Sequence, residues 1–350
     1  MDESYFKGRG AQIKSENKYL KAQYVTNHIE GLDEPLLENP LTQIFHENPK
    51  KIINKVESPD LHSMYSMNPY QGCEHGCIYC YARNTHEYYG FSAGLDFESK
   101  IIVKQNAPAL LEEALLKKSW NAVPIMLSGN TDCYQPQEKK FEITRKMLMV
   151  LAQYRHPVSI ISKNSLVLRD LDILKDLAAD RLVHVMISIT TLDEELRRQL
   201  EPRTASALRR LKTVEELAKA NIPVGIMNAP IIPGLNHHET SNILKAAADH
   251  GALTAGMTVV RLNGSIGKIF EDWLSKNFPD RFEKVWNQIC SMHGGNVNDS
   301  NFGRRMSGDG NIADAIHQLF RSAKKKYFAG REMPPYDLTK FRKGGNLNLF

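Results

Sequence analysis

Three of the chain's five cysteines stand close together, at Cys73, Cys77 and Cys80, within NPYQGCEHGCIYCYAR (68–83). The spacing is CxxxCxxC, and Tyr79 and Tyr81 flank the last of them. Three thiolates on one tight loop can hold three irons of a 4Fe–4S cube. The fourth iron then has no protein ligand and can accept a small molecule. Ferredoxin-type runs carry a fourth cysteine and close every iron. Gly72 and Gly76 suit a backbone that folds closely round a bulky cluster. A zinc site is the alternative; it wants four N or S ligands, and His75 or His86 would supply the fourth. Three unrelated thiols are the plainest alternative.

Elements able to position such a loop follow from the apolar pattern. Strand-like runs at Tyr65–Tyr70, Val123–Leu127, Pro157–Ser162, Val183–Thr190, Ile222–Met227 and Met257–Leu262 alternate with helical stretches. The helices are expected at Ala107–Lys118, Glu138–Ala152, Leu168–Ala178, Asp193–Leu200, Ala205–Ala220 and Glu239–His250. Strands separated by helices of about ten residues mean parallel β/α units. Six of them predict an α/β fold built as an open, partial β/α barrel over 61–265. An N-terminal extension (1–60) precedes it, polar, with few strand signals, and expected to be irregular chain at GRGA (8–11) and LDEPLLENPL (32–41) with room for one short helix, and a helical region (266–350) follows. Barrel chemistry gathers at the C-terminal strand ends, and the cysteine loop follows the first strand.

The remaining strand ends carry polar residues. Ser128-Gly129-Asn130-Thr131-Asp132 follows the second strand, Ser162-Lys163-Asn164 the third, and Ser188-Ile189-Thr190 ends the fourth. Leu200-Glu201-Pro202-Arg203 reads as an ordered turn with paired charges. After the fifth strand, Ile231 or Ile232 in the stiff APIIPGLN loop can pack on a flat ring. For each, the ordinary alternative is structural: helix caps, barrel-lining hydroxyls, a salt bridge.

These segments resemble the radical SAM superfamily, and within it the photolyase-like branch that includes spore photoproduct lyase. The resemblance rests on NPYQGCEHGCIYCYAR, Ser58-Pro59-Asp60, Gly94–Glu98, Asn130–Pro136, Leu200–Arg203 and Pro230–Asn236. It runs from GRGA (8–11) to NDSNFGRRMSGDG and implies the partial barrel, a 4Fe–4S cluster on Cys73, Cys77 and Cys80, and S-adenosylmethionine on the open iron. It further implies reductive cleavage to a 5′-deoxyadenosyl radical that abstracts hydrogen from a substrate, a DNA lesion being the specific option. By resemblance Asn130, Thr131 and Asp132 are candidates for the methionine ammonium and Lys163 for its carboxylate. By the same resemblance Ser188 is a candidate to face the ribose or carboxylate, and Thr190, two residues on, shares its strand face. Glu201 is a candidate for a ribose hydroxyl, Arg203 for a carboxylate, Ile231 for the adenine and Tyr79 for the cofactor generally. Tyr81 matches a tyrosine that takes part in hydrogen transfer. Cys133 is the candidate hydrogen donor, although it follows Asp132 where the lyases place their cysteine earlier. Its ordinary alternative is a buried small apolar residue.

An electron donor such as flavodoxin or ferredoxin is the implied partner. A zinc-stabilised nucleic-acid-binding module and a passive electron carrier are the readings from other classes. An odd, clustered cysteine set argues for a reducing compartment, and the cytoplasm is expected. No apolar run approaches the roughly 18 residues of a membrane span. The net charge of +5 is concentrated near the C-terminus, where 321–343 holds eight Lys/Arg against two Asp/Glu. Such a tail can follow a phosphate backbone; a solvated, partly disordered terminus is the plain alternative. The Gly/Asn/Asp/Ser stretch 293–310 is long for a loop and suits a lid, in which Arg304 and Arg305 are candidates to grip an anion.

Overall fold

A computed structural model describes residues 6–20, 41–61 and 65–345. Ten strands form two sheets. They are β1 (Gln43–Glu47), β2 (Asn54–Lys55), β3 (Tyr65–Met67), β4 (Tyr70–Gln71), β5 (Lys100–Lys104), β6 (Ile125–Leu127), β7 (Val158–Ser162), β8 (Val183–Ser188), β9 (Val224–Ile231) and β10 (Ala255–Val259). The larger sheet runs β10-β9-β8-β7-β6-β3-β2, and a three-stranded sheet runs β1-β5-β4. From β3 to β10 every pairing in the larger sheet is parallel and only β2 runs antiparallel. The six expected barrel strands therefore lie side by side in chain order, and the sheet ends at β2 and β10 without closing on itself.

Alternation along the strands explains both faces. Ile125, Leu127, Val158, Ile160, Val185, Ile187, Val224 and Ile226 are buried in one core with Leu174, Leu177, Val214, Leu217 and Leu244 from the covering helices. The residues between them, Ser66, Met126, Ser159, Ile161, Met186 and Met227, are only partly buried and line the inner face. Glycines on this face make room for methionines. A Cβ at Gly225 would meet Met186 Sδ at 2.8 Å, and one at Gly256 would meet Met227 Sδ at 2.6 Å.

Several boundaries differ from expectation for stated reasons. The first strand divides, because Pro69 cannot donate to a ladder; β3 stops at Met67 and β4 crosses to the small sheet beside β5. The helix expected at Glu138–Ala152 breaks at Glu142, whose φ of 53° is left-handed, into Glu138–Phe141 and Ile143–Gln153. The N-terminal region, expected to be irregular, supplies β1 parallel to β5 and β2 beside β3. Neither β5 nor the short helix Leu95–Ser99 was foreseen. The irregular stretch expected over Leu32–Leu41 lies, but for Leu41, outside the described residues.

One segment spans the open side of the partial barrel. Along the free edge of β10, Leu262 N donates to Val297 O and Val259 N to Met306 O, both at 3.1 Å. The same stretch reaches the turn between β2 and β3. Gly303 N donates to Asp60 Oδ1 at 2.6 Å, and Arg305 binds Asp60 and Ser58. Residues 297–306 thus bridge the first and last strands by polar contacts where a ladder is missing. Arg304 pairs with Asp299. Both arginines expected to grip an external anion are held by the chain's own carboxylates.

The basic tail was expected to be a solvated terminus or a phosphate-binding arm. Its described part instead crosses the N-terminal ends of the strands. Tyr336 donates to Val158 O and stacks on His184, Arg331 donates to Ala248 O and Ala252 O, and Arg342 Nη1 donates to Gln153 O. Among the described residues no helix is long and apolar enough to cross a membrane.

Candidate cofactor site

The chain leaves β4 through Gly72 and turns back at Gly76, with φ of 79° and 68°. A Cβ at Gly72 would sit 2.8 Å from Lys100 O. Both positions therefore require glycine. Cys73 N donates to Phe97 O at 2.8 Å and Ile78 N to Leu200 O at 3.0 Å. Cys73 and Cys77 are buried, and Cys80 is partly exposed. Burial pushes the Cys77 thiol up to about 12, against the pull of the nearby Lys163 cation.

The loop is held on every side. Gln135 Nε2 donates to Gly72 O, and Gln135 Oε1 accepts from Glu74 N. Glu74 accepts from Thr42 and Gln137. Arg203 N donates to His75 O, and its guanidinium lies 3.7 Å from Glu74. Arg83 Nε donates to Cys77 O at 2.9 Å, and Arg83 pairs with Glu98 at 2.6 Å, both side chains fully buried.

Behind Cys77 lies a second buried pair. Glu201 accepts from Arg210, Tyr79 and Thr190. Burial works to raise the Glu201 carboxyl, but Arg210, then Lys163, outweigh it and hold the group down at about 2. Lys163, at the exit of β7, lies 5.8 Å from the Tyr79 ring centroid. Among the described residues no carboxylate stands within ion-pair reach of its ammonium. Burial acts to lower its pKa, and the Cys77 and Glu201 sites raise it on balance. The Ser188 hydroxyl also has no hydrogen-bonded partner among the described residues.

Not every candidate faces this space. Asp132 is consumed internally, accepting from Ser162 Oγ, Lys163 N and Tyr134 N, with His75 Nδ1 at 3.4 Å. Burial would raise its pKa, yet His75 and the two amides hold it at about 2. Thr131 is 1% exposed and donates to Tyr70 O. Asn130 donates to Gln71 and Thr85. Cys133 is corrected most clearly: it is fully buried in the main apolar core, so its thiol has no route to a substrate in this conformation. Ile231 is likewise fully buried with Val259, Met292, Ala313 and Ile316, whereas Ile232 joins the cluster that contains Cys77 and Tyr79. Arg203 and Glu201 take the structural alternatives. Tyr81 is 58% exposed and donates to Gly129 O at 2.7 Å. Sequence reasoning missed Arg210, Arg83 and Glu98. The last two lie inside segments already singled out, whereas Arg210 carries no local signal.

The donor set fits a cube better than a single ion. Among the described residues no three His, Cys, Asp or Glu side chains converge as one metal ion would need. Each thiolate of a cube takes a different iron. His75 is held by Asp132 and Asn164. His86 packs between Phe91 and Phe97, and burial presses its pKa down to about 4.

Comparison with known proteins places the chain by family and fold. An uncharacterised protein of Mycobacterium tuberculosis is 34% identical over 234 residues, covering 66% of this chain and 69% of that one. An uncharacterised protein of Methanocaldococcus jannaschii is 28% identical over 252 residues, covering 72% and 90%. A spore photoproduct lyase mutant shares the fold with a TM-score of 0.62 at 16% identity, covering 87% of this chain and 86% of that one. A second, with bound AdoMet and dinucleoside spore photoproduct, gives 0.61 at 15%, covering 82% and 80%. The family model for the radical SAM superfamily matches residues 67–247. From the cysteine loop to the helix after β9, this chain belongs to that superfamily.

Proposed function

We propose that the chain is an enzyme that holds a 4Fe–4S cluster on Cys73, Cys77 and Cys80 and binds S-adenosylmethionine at its open corner. The observation that carries this is the pairing of three thiols on one clamped loop with an uncommitted ammonium, Lys163, beside them. A reduced cluster held there would supply the electron for cleavage of the sulfonium, and the radical released would abstract hydrogen from a bound substrate. Lys163 would take the methionine carboxylate, Asn130 the ammonium and Ser188 a ribose hydroxyl. Tyr79 and Thr190, fixed on Glu201, would form the floor. Tyr81, at the exposed mouth, would meet the substrate. An external low-potential donor such as flavodoxin or ferredoxin would supply the electron.

The substrate is the finer part of the proposal. A damaged base in DNA is the specific option, supported by the fold shared with a spore photoproduct lyase that holds a dinucleoside spore photoproduct. Anaerobic reconstitution tests the chemistry: iron and sulfide should bind, and reduction with S-adenosylmethionine should release 5′-deoxyadenosine. Cys77→Ala should abolish both. Protein that binds no iron, or a cluster indifferent to S-adenosylmethionine, would overturn the proposal in favour of a zinc module or an electron carrier. Incubation with irradiated DNA and with a metabolite pool then separates the substrate classes.

A further inference from the structure

The first sheet-forming residues are preceded by a segment the chemistry above leaves unused. Gly10 N and Ala11 N donate to the two Glu98 oxygens at 3.0 and 2.8 Å. Arg9 Nη1 donates to Glu98 O, and Leu95 N donates to Ile13 O. Arg203 Nε donates to Gly8 O. Gly10 lies so close to the cysteine loop that a Cβ there would stand 1.9 Å from Gly76 O. Gly76 in turn has room for no side chain, since its Cβ would fall 2.8 Å from Glu98 Oε2. Ala11 packs in the same apolar cluster as Cys77 and Ile78. Glu98 is fully buried, and the arginine that pairs with it, Arg83, donates directly to the Cys77 carbonyl, with Arg9 a second cation close by.

We propose that Glu98, acting through Arg83 and the main chain of Gly10 and Ala11, is a positioning residue that seals and electrically balances one wall of the cysteine loop. This rests on the cluster assignment above. A buried carboxylate is stable only when its oxygens are fully engaged, and here a remote N-terminal segment supplies two of the donors. Water and oxygen are thereby kept from the Cys77 side. Arg83 places a positive charge against the loop and Glu98 offsets it, so the field on a bound cluster depends on the pair.

The sign of the effect follows. A cluster gains negative charge on reduction, so removing the Glu98 charge while Arg83 stays should favour the reduced form. Glu98→Gln should shift the midpoint potential upward, and Glu98→Asp, which keeps the charge, should restore a value near wild type. Gly10→Ala should leave the charges in place but lift the segment, giving several-fold faster bleaching in air at unchanged initial iron content. In cluster-free protein, amide exchange at Gly10 and Ala11 should be slow and should accelerate in Glu98→Gln. If Glu98→Gln fails to fold, Gly10→Ala decides. Wild-type potential, bleaching and exchange in these variants would overturn the proposal. Wild-type protein that takes up no iron would instead overturn the cluster assignment, and the amide-exchange result would still test the wall.

Discussion

At the C-terminal ends of the strands, Arg83, Glu98, Glu201 and Arg210 are buried outright and satisfy one another around the cysteine loop. At the N-terminal ends, Arg331 stays exposed and Arg342 half-buried, and both donate to main-chain carbonyls. Both ends are rich in arginine, and only the first set surrounds the cysteine loop. Buried pairs are costly to assemble and costlier to break, because each partner left alone is an uncompensated charge. Tail contacts of the second kind fasten a strap and leave water as a substitute partner.

The sharpest break is therefore Arg210→Met. It leaves Glu201 buried without its cation, and the loss should be about 3–5 kcal/mol. Urea unfolding of the cluster-free protein reads it directly. A loss near zero would mean that water or Lys163 compensates Glu201, and the contrast between the two ends would shrink.

Acid should expose the same difference. Glu201 and Asp132 are both held at about 2, below the ordinary values of 4.5 and 3.8. Their folded-state pKa is depressed, so their contribution is full above the ordinary values and is lost as pH falls toward 2. Stability should decline across that window, by up to about 3 kcal/mol for Glu201 alone. Glu201→Gln, though less stable at neutral pH, should show a shallower decline. Equal slopes would deny Glu201 the role.

Lys163→Met sharpens the comparison from the functional side. Lys163 is the cation at the top that no carboxylate in the described chain claims. Its removal should cost little stability. It should weaken S-adenosylmethionine binding roughly 10–100-fold, the worth of one charged hydrogen bond, at unchanged iron content. Calorimetry on the reconstituted protein would decide; unchanged affinity would leave the ammonium without a ligand.

How much of this was legible beforehand depended on whether a residue's partners are local. The six parallel strands were readable because β-branched runs and helical stretches alternate in sequence. The cysteines were readable because their spacing is itself the site. Glu98 was not, because its partners Gly10 and Ala11 lie 88 and 87 residues away in sequence, and Arg210 was not, because a lone arginine on a helix shows neither its burial nor its reach to Glu201 and the Ser188 carbonyl. Cys133 and Ile231 misled for a related reason. Motif position fixes the strand end on which a residue sits but not the face it occupies, and one step along a strand reverses that face. The tail misled because charge composition speaks of solvent, while Tyr336 and the Arg331 contacts decide where the segment lies.

That last point can be tested at the N-terminal end. Tyr336→Phe removes one hydrogen bond to Val158 O and leaves the stacking on His184. The expected loss is about 1 kcal/mol, with no effect on iron content or cofactor affinity. A change in either would mean that the two ends communicate, and the division drawn here would fail.

The smallest effect belongs to the segment that joins the ends of the sheet. Asp60 carries Arg305 and the Gly303 amide between two loops, and although its side chain is only 8% exposed, Asp60→Asn keeps an oxygen to accept from the Gly303 amide and gives up little beyond the charge. Global unfolding should be indistinguishable from wild type. The difference should appear locally: 297–306 should be cut faster by protease at low salt, and salt should narrow the gap by weakening the wild-type pair. If Asp60→Asn instead lowers global stability, the bridge is part of the barrel's cooperative core. The molecule would then hold a third region, in which a loop-to-loop pair acts with the weight of the buried ones around the cysteine loop.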